Sequence, residues 1–492
     1  MGVELRPYQL SAIQRTRESI SSGKRAPIIV APTGAGKTVI ASEIIRRAQE
    51  KSKSTLFLAH RFELVSQASL KLANCGIEHN IIAPDDSVRQ IKVEHFRAFG
   101  RSFVNHRSST DVGTVQTKSR RLDSLRKNYD NLIFDECHLS ISPSYKKVRE
   151  AYPNAILIGL TATATRLDGK GLGAHCGGMY DDIIQVCQPR ELIDEGFLVP
   201  YRFFGAEYTP DVSKVKKKGG DYDSDQLGII MDKPKIIGDA VDHYSKIARG
   251  RVAMAFSPTV AHAEKTAEFF RQAGYRAVAL SGKSLSSERS KAIRDAGSGA
   301  LDIICNCGLF IEGLDQSAIS CIIWLAHTMS LTKFLQGTGR GGRPHKGKED
   351  CIVLDHVGNC GMAVNGEFVF KHGFPDDDRE WSLEGAKRKP RKNDEQAVAI
   401  QRCPSCYAIH KPAPVCPQCG HAYVPGAKRS EIKQVEGDLV EIKRAATIKR
   451  KKEERDCRTL EDFENLGKDR GYQFWKQWAA KRYSFRKQRV KS

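Results

Sequence analysis

The 492-residue chain has no run of about 18 uncharged apolar residues, which excludes a membrane-spanning helix. Its opening, MGVELRPYQL, carries charges and a proline and lacks the apolar centre of a secretory signal. There is no internal repeat beyond two α/β halves, and no long low-complexity tract. Acids are in deficit: 58 Asp and Glu stand against 79 Lys and Arg, a formal net charge of +21. They are missing altogether from residues 470–492, which hold eight Lys or Arg. The fourteen cysteines mostly stand singly in apolar segments. That is the pattern of buried thiols in a reducing compartment rather than of a disulfide framework. The expected location is cytoplasmic, in a bacterium or a phage-infected host, with no membrane partner. The charge excess implies a polyanionic partner without naming it. An apolar content of 40% suffices for ordinary globular cores, and the length predicts about three domains.

Short apolar runs recur at 28–31, 55–59, 113–116, 131–134 and 156–160, with helix-like spacing between them, as at 38–49 and 62–72. Runs of this length, rich in β-branched and aromatic residues, suit strands of a parallel sheet buried on both faces. A second series lies at 252–256, 277–280, 302–306, 321–325 and 351–354. The fold class is therefore α/β, with two parallel-sheet units in tandem. We expect a first domain over 1–200 and a second over 201–373, with 201–250 an irregular connection. The basic stretch 214–220 (KVKKKGG) reads as an exposed, solvated loop. A linker follows at 374–399, then a cysteine-rich segment at 400–424 and a basic extension at 425–492. Residues 428–492 carry 20 basic and 11 acidic side chains, an excess of nine.

Residues 31–38 read APTGAGKT, after a strand and before a helix. Gly34 and Gly36 allow a tight turn in which the N–H groups of Thr33, Gly34, Ala35 and Gly36 face an anion at a helix N-terminus. In this pattern Lys37 reaches the β- and γ-phosphates of ATP and the Thr38 hydroxyl binds Mg²⁺. Ala31 stands where the general pattern has glycine. Asp135-Glu136-Cys137-His138 follows a strand-like run. At the carboxyl end of a parallel strand, Asp135 is expected beside the phosphate loop of a neighbouring strand, holding Mg²⁺ through water. Glu136 is placed to act as general base on the attacking water.

With DECH at its centre, the chain resembles the superfamily 2 helicases of the DEAD/DEAH-box type. Residues 5–9 (LRPYQ) resemble the adenine-recognising motif, with Gln9 as the adenine contact. Residues 59–67 (AHRFELVSQ) and 112–118 (VGTVQTK) resemble two strand-binding motifs. Residues 159–166 (GLTATATR) resemble the coupling motif, with Ala164 in place of its usual proline. Residues 255–264 (AFSPTVAHAE) look like a backbone-contacting motif. Residues 309–316 (LFIEGLDQ) supply Gly313 and Asp315 to the nucleotide, and 336–343 (QGTGRGGR) match Gln-x-x-Gly-Arg-x-x-Arg. The likeness spans most of residues 1–360 and implies two RecA-like domains. Its subgroup looks like the RadD-like and phage helicases, which also carry a cysteine-rich segment. It also implies a site shared by both domains. There Arg343 acts as the arginine finger, Arg340 as a second phosphate contact, and Gln336 positions the water.

Cys403-x-x-Cys406 and Cys416-x-x-Cys419 form two knuckles, enough thiolates for one tetrahedral, structural Zn²⁺. The tail over Tyr472–Arg489 interleaves Phe474, Trp475, Trp478, Tyr483 and Phe485 with basic residues. Such a segment can stack on bases, or dock its aromatics on the body while the charges face water. The function expected is an ATP hydrolase, a helicase or translocase acting on nucleic acid. DNA is favoured, single-stranded or branched, with a replication or repair protein as an unidentified further partner. The alternatives are an RNA helicase, a duplex-remodelling factor that does not separate strands, and the motor of a nuclease system. No nuclease constellation is present in the linker or tail.

Overall fold

A computed structural model describes residues 4–385 apart from 125–126, 167–168, 207–209, 211, 219, 233, 309–315 and 365–366. Beyond these it describes residues 401–402, 409–410, 414–415, 422, 439–442, 453–454, 456–472 and 475–490. Two compact units emerge. The first takes the chain to Gln188, together with a returning stretch from Asp378, and the second takes the rest. No helix among the described residues is long and apolar enough to cross a membrane.

The first unit runs α1 (Pro7–Ser21), β1 (Pro27–Val30), α2 (Lys37–Glu50), β2 (Thr55–Ala59), α3 (Phe62–Asn74), β3 (Asn80–Ile82) and α4 (Asp85–Phe99). It continues with β4 (Thr110–Thr114), α5 (Val115–Arg120), β5 (Asn131–Asp135), α6 (Pro143–Ala151), β6 (Ile156–Thr161) and β7 (Asp182–Gln185). Its strands lie in the order β3-β4-β2-β5-β6-β1-β7. Every neighbouring pair is parallel. Parallel pairing sends all the carboxyl ends to one edge, where ligands bind in open α/β sheets. The strands at 27–30, 55–59 and 131–135 are almost wholly buried, as continuous apolar runs require.

The second unit begins with α7 (Pro189–Asp194), β8 (Tyr201–Ala206), β9 (Lys217–Lys218), β10 (Asp221–Tyr222), α8 (Ser224–Met231) and α9 (Pro234–Ile247). The core follows as β11 (Val252–Phe256), α10 (Val260–Gln272), β12 (Ala277–Ser281), α11 (Ser286–Gly297), β13 (Ile303–Cys307), β14 (Ile319–Trp324), α12 (Leu331–Gly339) and β15 (Cys351–Asp355). Later come β16 (Gly361–Val364), β17 (Glu367–Phe370), β18 (Gln401–Arg402), β19 (Ile409–His410) and β20 (Leu439–Ile442). The chain ends in α13 (Leu460–Asp469) and α14 (Trp475–Val490). The sheet order is β12-β13-β11-β14-β15-β8-β20-β19-β18. It is parallel from β12 to β8, and β20 then joins antiparallel.

Alternation divides this core cleanly. Met254, Phe256, Ile322 and Trp324 pack into one apolar cluster, while Ala253, Ala255, Cys321 and Ile323 pack into another. Successive strand residues point to opposite faces, so one sheet supplies both layers.

Several expectations need correction. The stretch 201–250 is regular: β8 is a full member of the second sheet, and α8 and α9 follow it. β8 pairs through five residues with β15. The 214–220 segment is a hairpin, with Lys217–Lys218 antiparallel to Asp221–Tyr222. The segment expected as a linker does not behave as one between 378 and 385. Trp381 and Leu383 pack on the first unit's core, and the Gly173 N–H donates to the Leu383 carbonyl. Tail aromatics are core residues too: Trp478 and Tyr472 are buried with Phe463, in edge-on ring contacts. The Tyr472 hydroxyl donates to Asp194 of α7, and Arg482 donates to it at 3.2 Å. Docking therefore accounts for Tyr472 and Trp478.

Trp324 should be the most costly truncation in the second unit. It is buried, stacks on Phe256 at 4.4 Å and donates its indole N–H to Thr338 at 3.1 Å. Trp324→Ala should cost about 3–5 kcal/mol, read as a lowered denaturant midpoint for that unit. A change below about 1 kcal/mol would contradict this packing.

Candidate nucleotide site

The phosphate loop follows β1. The Ala31 N–H donates to the Thr161 carbonyl, tying the loop's first residue to the end of β6. Gly34 and Gly36 have φ of +91° and +85°, in the left-handed region that glycine enters without penalty. Gly36 is the N-cap of α2, and no side chain caps that helix; its first turn holds no acid. The orphan N–H groups of a helix start are thus left for a ligand, and the helix dipole favours an anion there.

A second element braces the loop from beneath. α1 starts at Pro7, a residue preorganised for a first helical position, and the Gln9 side-chain oxygen accepts from the Arg6 N–H at 3.0 Å. This leaves the Gln9 amide nitrogen to donate to the Ala35 carbonyl at 3.0 Å, and the Tyr8 hydroxyl donates to the same oxygen at 3.2 Å. Both residues are buried. A Cβ on Gly36 would come within 2.5 Å of the Gln9 nitrogen. Tyr8 is a bracing residue that motif reading passed over, although it stands beside Gln9 in LRPYQ.

Asp135 closes β5 and Glu136 follows with φ of +47°, a left-handed conformation that costs a non-glycine residue of order 1–3 kcal/mol. β6 lies between β1 and β5, so Asp135 sits one strand beyond the phosphate loop's immediate neighbour, not on the adjacent strand as expected. Burial pushes the Asp135 carboxyl well up, the Glu136 charge adds to this, and Lys37 and then His60 pull it back. Two buried acids with so little compensating charge are what a divalent cation satisfies. The Thr38 hydroxyl, in the first turn of α2, is the other oxygen donor in reach of a phosphate-bound cation.

The acidic pair is wired to the coupling motif. His138 Nδ1 lies 3.4 Å from Glu136 Oε2 and 3.4 Å from the Thr161 hydroxyl. That hydroxyl donates to the Thr163 carbonyl at 2.8 Å and accepts from the Thr163 N–H at 3.1 Å. These local bonds fix the turn with Ala164 in the usual proline position. Gly159 is required by close packing, since a Cβ there would press on Cys137 Sγ and the Tyr180 ring.

In the second unit, Gln336 and Arg340 are buried around the end of α12, and Arg343 is half-buried just after it. The glycines between them have a packing role: a Cβ on Gly341 would strike Cys351, and one on Gly342 would strike the Tyr201 hydroxyl. Gly313 and Asp315 lie outside the described residues, as do Cys403, Cys406, Cys416 and Cys419. Both cysteine knuckles are nevertheless bracketed by paired backbone. β18 and β19 pair antiparallel around residues 403–408, and Val415 bridges Ala422 around 416–421. Among the described residues, no cluster of three or more His, Cys, Asp or Glu is placed to hold a metal, and ten cysteines are free thiols.

Comparison with known proteins agrees with this geometry. Residues 2–166 match the family described as "Type III restriction enzyme, res subunit", and residues 232–345 match "Helicase conserved C-terminal domain". A "51.5 kDa protein" of a Lactococcus phage is 30% identical over 418 residues, covering 84% of this chain and 82% of its own length. A Saccharomyces cerevisiae protein named "Putative ATP-dependent helicase IRC3" is 28% identical over 377 residues, 73% of this chain and 52% of its own length. This chain thus spans about half of that yeast relative. A solved fragment assigned to the HsdR subunit of a type I restriction enzyme from Vibrio vulnificus YJ016 shares the fold. Its TM-score is 0.53 at 20% identity, over 71% of this chain and 63% of that one.

The Gly36 site yields a double-variant test. Gly36→Ala should weaken binding of a fluorescent ATP analogue at least tenfold. Adding Gln9→Ala removes the collision but leaves the φ strain, so affinity should recover only in part; because Gln9 is also the expected adenine contact, this recovery is read with inorganic tripolyphosphate, which carries no adenine. Wild-type binding by Gly36→Ala alone would refute the loop geometry.

Proposed function

Because the chain belongs to the superfamily 2 helicases of the DEAD/DEAH-box type, we propose that it is an ATP-driven DNA helicase or translocase, acting in repair, recombination or replication. The observation that carries this reading is the uncapped start of α2, turned by two left-handed glycines and set at the same sheet edge as a buried Asp-Glu pair.

On this reading, the loop N–H groups of Thr33, Gly34 and Gly36 hold the β- and γ-phosphates, with Lys37 neutralising their charge, while the Ala35 N–H, expected to join them, donates instead to the Pro32 carbonyl at 3.0 Å. Thr38 and Asp135 hold Mg²⁺, which when bound supplies charge neutralisation at the phosphoryl oxygens. Glu136 takes the proton from the attacking water, and His138 fixes the orientation of its carboxylate. Gln9 serves the adenine, while its other bond keeps the Ala35 carbonyl turned away from the phosphates. Gly313 and Asp315 are assigned to the nucleotide by their motif. Gln336 positions water, Arg343 supplies the arginine finger and Arg340 a second phosphate contact; such a finger is worth roughly 10³–10⁵ in rate in other NTPases. The strand motifs grip backbone phosphates, so binding is largely independent of sequence.

Cys403, Cys406, Cys416 and Cys419 are proposed to hold one structural Zn²⁺. The backbone pairing of residues 401–402 with 409–410 and of Val415 with Ala422, on either side of each knuckle, supports this. A second reading, duplex translocation without strand separation, is favoured by the likeness to a Sulfurisphaera tokodaii protein named "DNA 3'-5' translocase XPB2", 28% identical over 170 residues.

The deciding experiment titrates ATPase activity with single-stranded DNA, duplex, forked DNA and RNA, alongside strand displacement on the same substrates. DNA should stimulate most, with strand release from forks; stimulation without release supports duplex translocation. Lys37→Ala should abolish stimulated turnover while the protein stays folded, and near-wild-type turnover would refute the site. Cys403→Ser should lower the zinc bound per chain, measured by metal analysis, and leave ATPase activity without nucleic acid largely intact. Full zinc content in that variant would refute the ligand set.

A further inference from the structure

The chain between β8 and α8 does something a solvated loop does not need to do. Lys214, Lys216, Lys217 and Lys218 are all exposed, and none makes an ion pair with another described residue. Four cations within five residues repel one another, and nothing in the described fold compensates them. Their backbone is nonetheless firmly held. Val215, between two of the lysines, is buried. The Lys216 N–H donates to the Gln226 side-chain oxygen at 2.9 Å, and its carbonyl accepts from the Asp223 N–H at 2.8 Å. Beneath the hairpin, Asp221 is buried and, besides the neighbouring Tyr222 N–H at 2.9 Å, accepts three bonds from residues 328–333: from the Thr328 hydroxyl at 2.8 Å, the Met329 N–H at 2.7 Å and the Lys333 ammonium at 2.9 Å. A buried carboxylate with three donors, one of them charged, is a strong anchor.

Asp221 is spent on residues 328–333, while Lys214, Lys216, Lys217 and Lys218 stay exposed, with Asp223 and Asp225 following in the next turn but paired with none of them. Loops that merely stay solvated do not require a buried anchor, whereas a phosphate contact gains affinity from being presented rigidly. We propose that the β9–β10 hairpin is a contact for the phosphate backbone of nucleic acid, its lysines held outward by Val215 and by the clamp of Asp221 on residues 328–333. This rests on the motor reading given above. The contact carries no base-specific group and reads charge alone.

The test uses the full-length protein and the triple variant Lys216→Gln, Lys217→Gln, Lys218→Gln, with fluorescence anisotropy on single-stranded and duplex DNA between 50 and 200 mM salt. Affinity at 50 mM should fall at least about tenfold, and the slope of log affinity against log salt should shrink by about one for each phosphate no longer neutralised. Replacing the same lysines by arginine should keep both near wild type. ATPase activity without nucleic acid should not change, because none of these residues belongs to the nucleotide site. A loss confined to one DNA form assigns the hairpin to that form. Wild-type affinity and slope on both probes, with normal DNA-stimulated ATPase, would overturn the hairpin alone. A wild-type protein that binds neither probe would overturn the hairpin and the motor reading together.

Discussion

A helix start that no side chain caps is the constraint on which the first unit is built. The N–H groups at the head of α2 are paired neither by a capping side chain nor by an acid in the first turn. A Ser, Thr, Asp or Asn at that position is worth about 1 kcal/mol over Ala and a few tenths over Gly, and it would fill the free N–H sites with its own side chain. Gly36 forgoes this and adopts a left-handed turn instead. The neighbouring parts make the arrangement stable without a ligand. Tyr8 and Gln9 converge on the Ala35 carbonyl, and the Ala31 N–H is tied to β6. The loop is therefore shaped before an anion arrives, which spares the ligand the entropy of ordering it.

The acids at the end of β5 show the same logic with opposite sign. Asp135 and Glu136 are buried together, and Glu136 sits in a strained left-handed conformation. Burial and the neighbouring Glu136 charge disfavour the ionised form of Asp135, and Lys37, the Glu136 N–H and His60 oppose this. His138 links the pair to Thr161, so the acids and the coupling motif form one hydrogen-bonded group. A cation deficit here and the uncapped N–H groups at the start of α2 are complementary needs, both met by a nucleotide carrying its metal.

The motifs were legible in the sequence because each pairs a glycine or a charge with a fixed offset from a strand. The core strands of both sheets were visible as apolar runs, since parallel strands are buried on both faces. Other features left weaker traces. β3 is only three residues long, and β7 (DIIQ) is half-polar, as an edge strand can be. The basic run around Lys217 hid the short hairpin, because propensity reads charge and glycine as loop while Asp221 supplies the order from a distance. Ring burial in the tail could not be separated from base stacking by composition alone, since both use aromatics among lysines. Asp194, which receives Tyr472 and Arg482, is the partner that distinguishes them, and it lies 278 residues from Tyr472. The glycines of residues 336–343 were read as motif spacing; Cys351 and Tyr201 give them a second reason.

The returning stretch at 378–385 makes the first unit discontinuous along the chain. Trp381 and Leu383 pack against its apolar core, and Gly171 leaves room for the backbone of that strap to lie close. During synthesis, the first 188 residues leave the ribosome with that part of their core uncovered. They stay so until the whole parallel core of the second unit has emerged. Domains otherwise fold as units from the N-terminus onward. Here the order of translation and the order of structural completion differ, and the nascent chain depends on its own later segment to seal what came first.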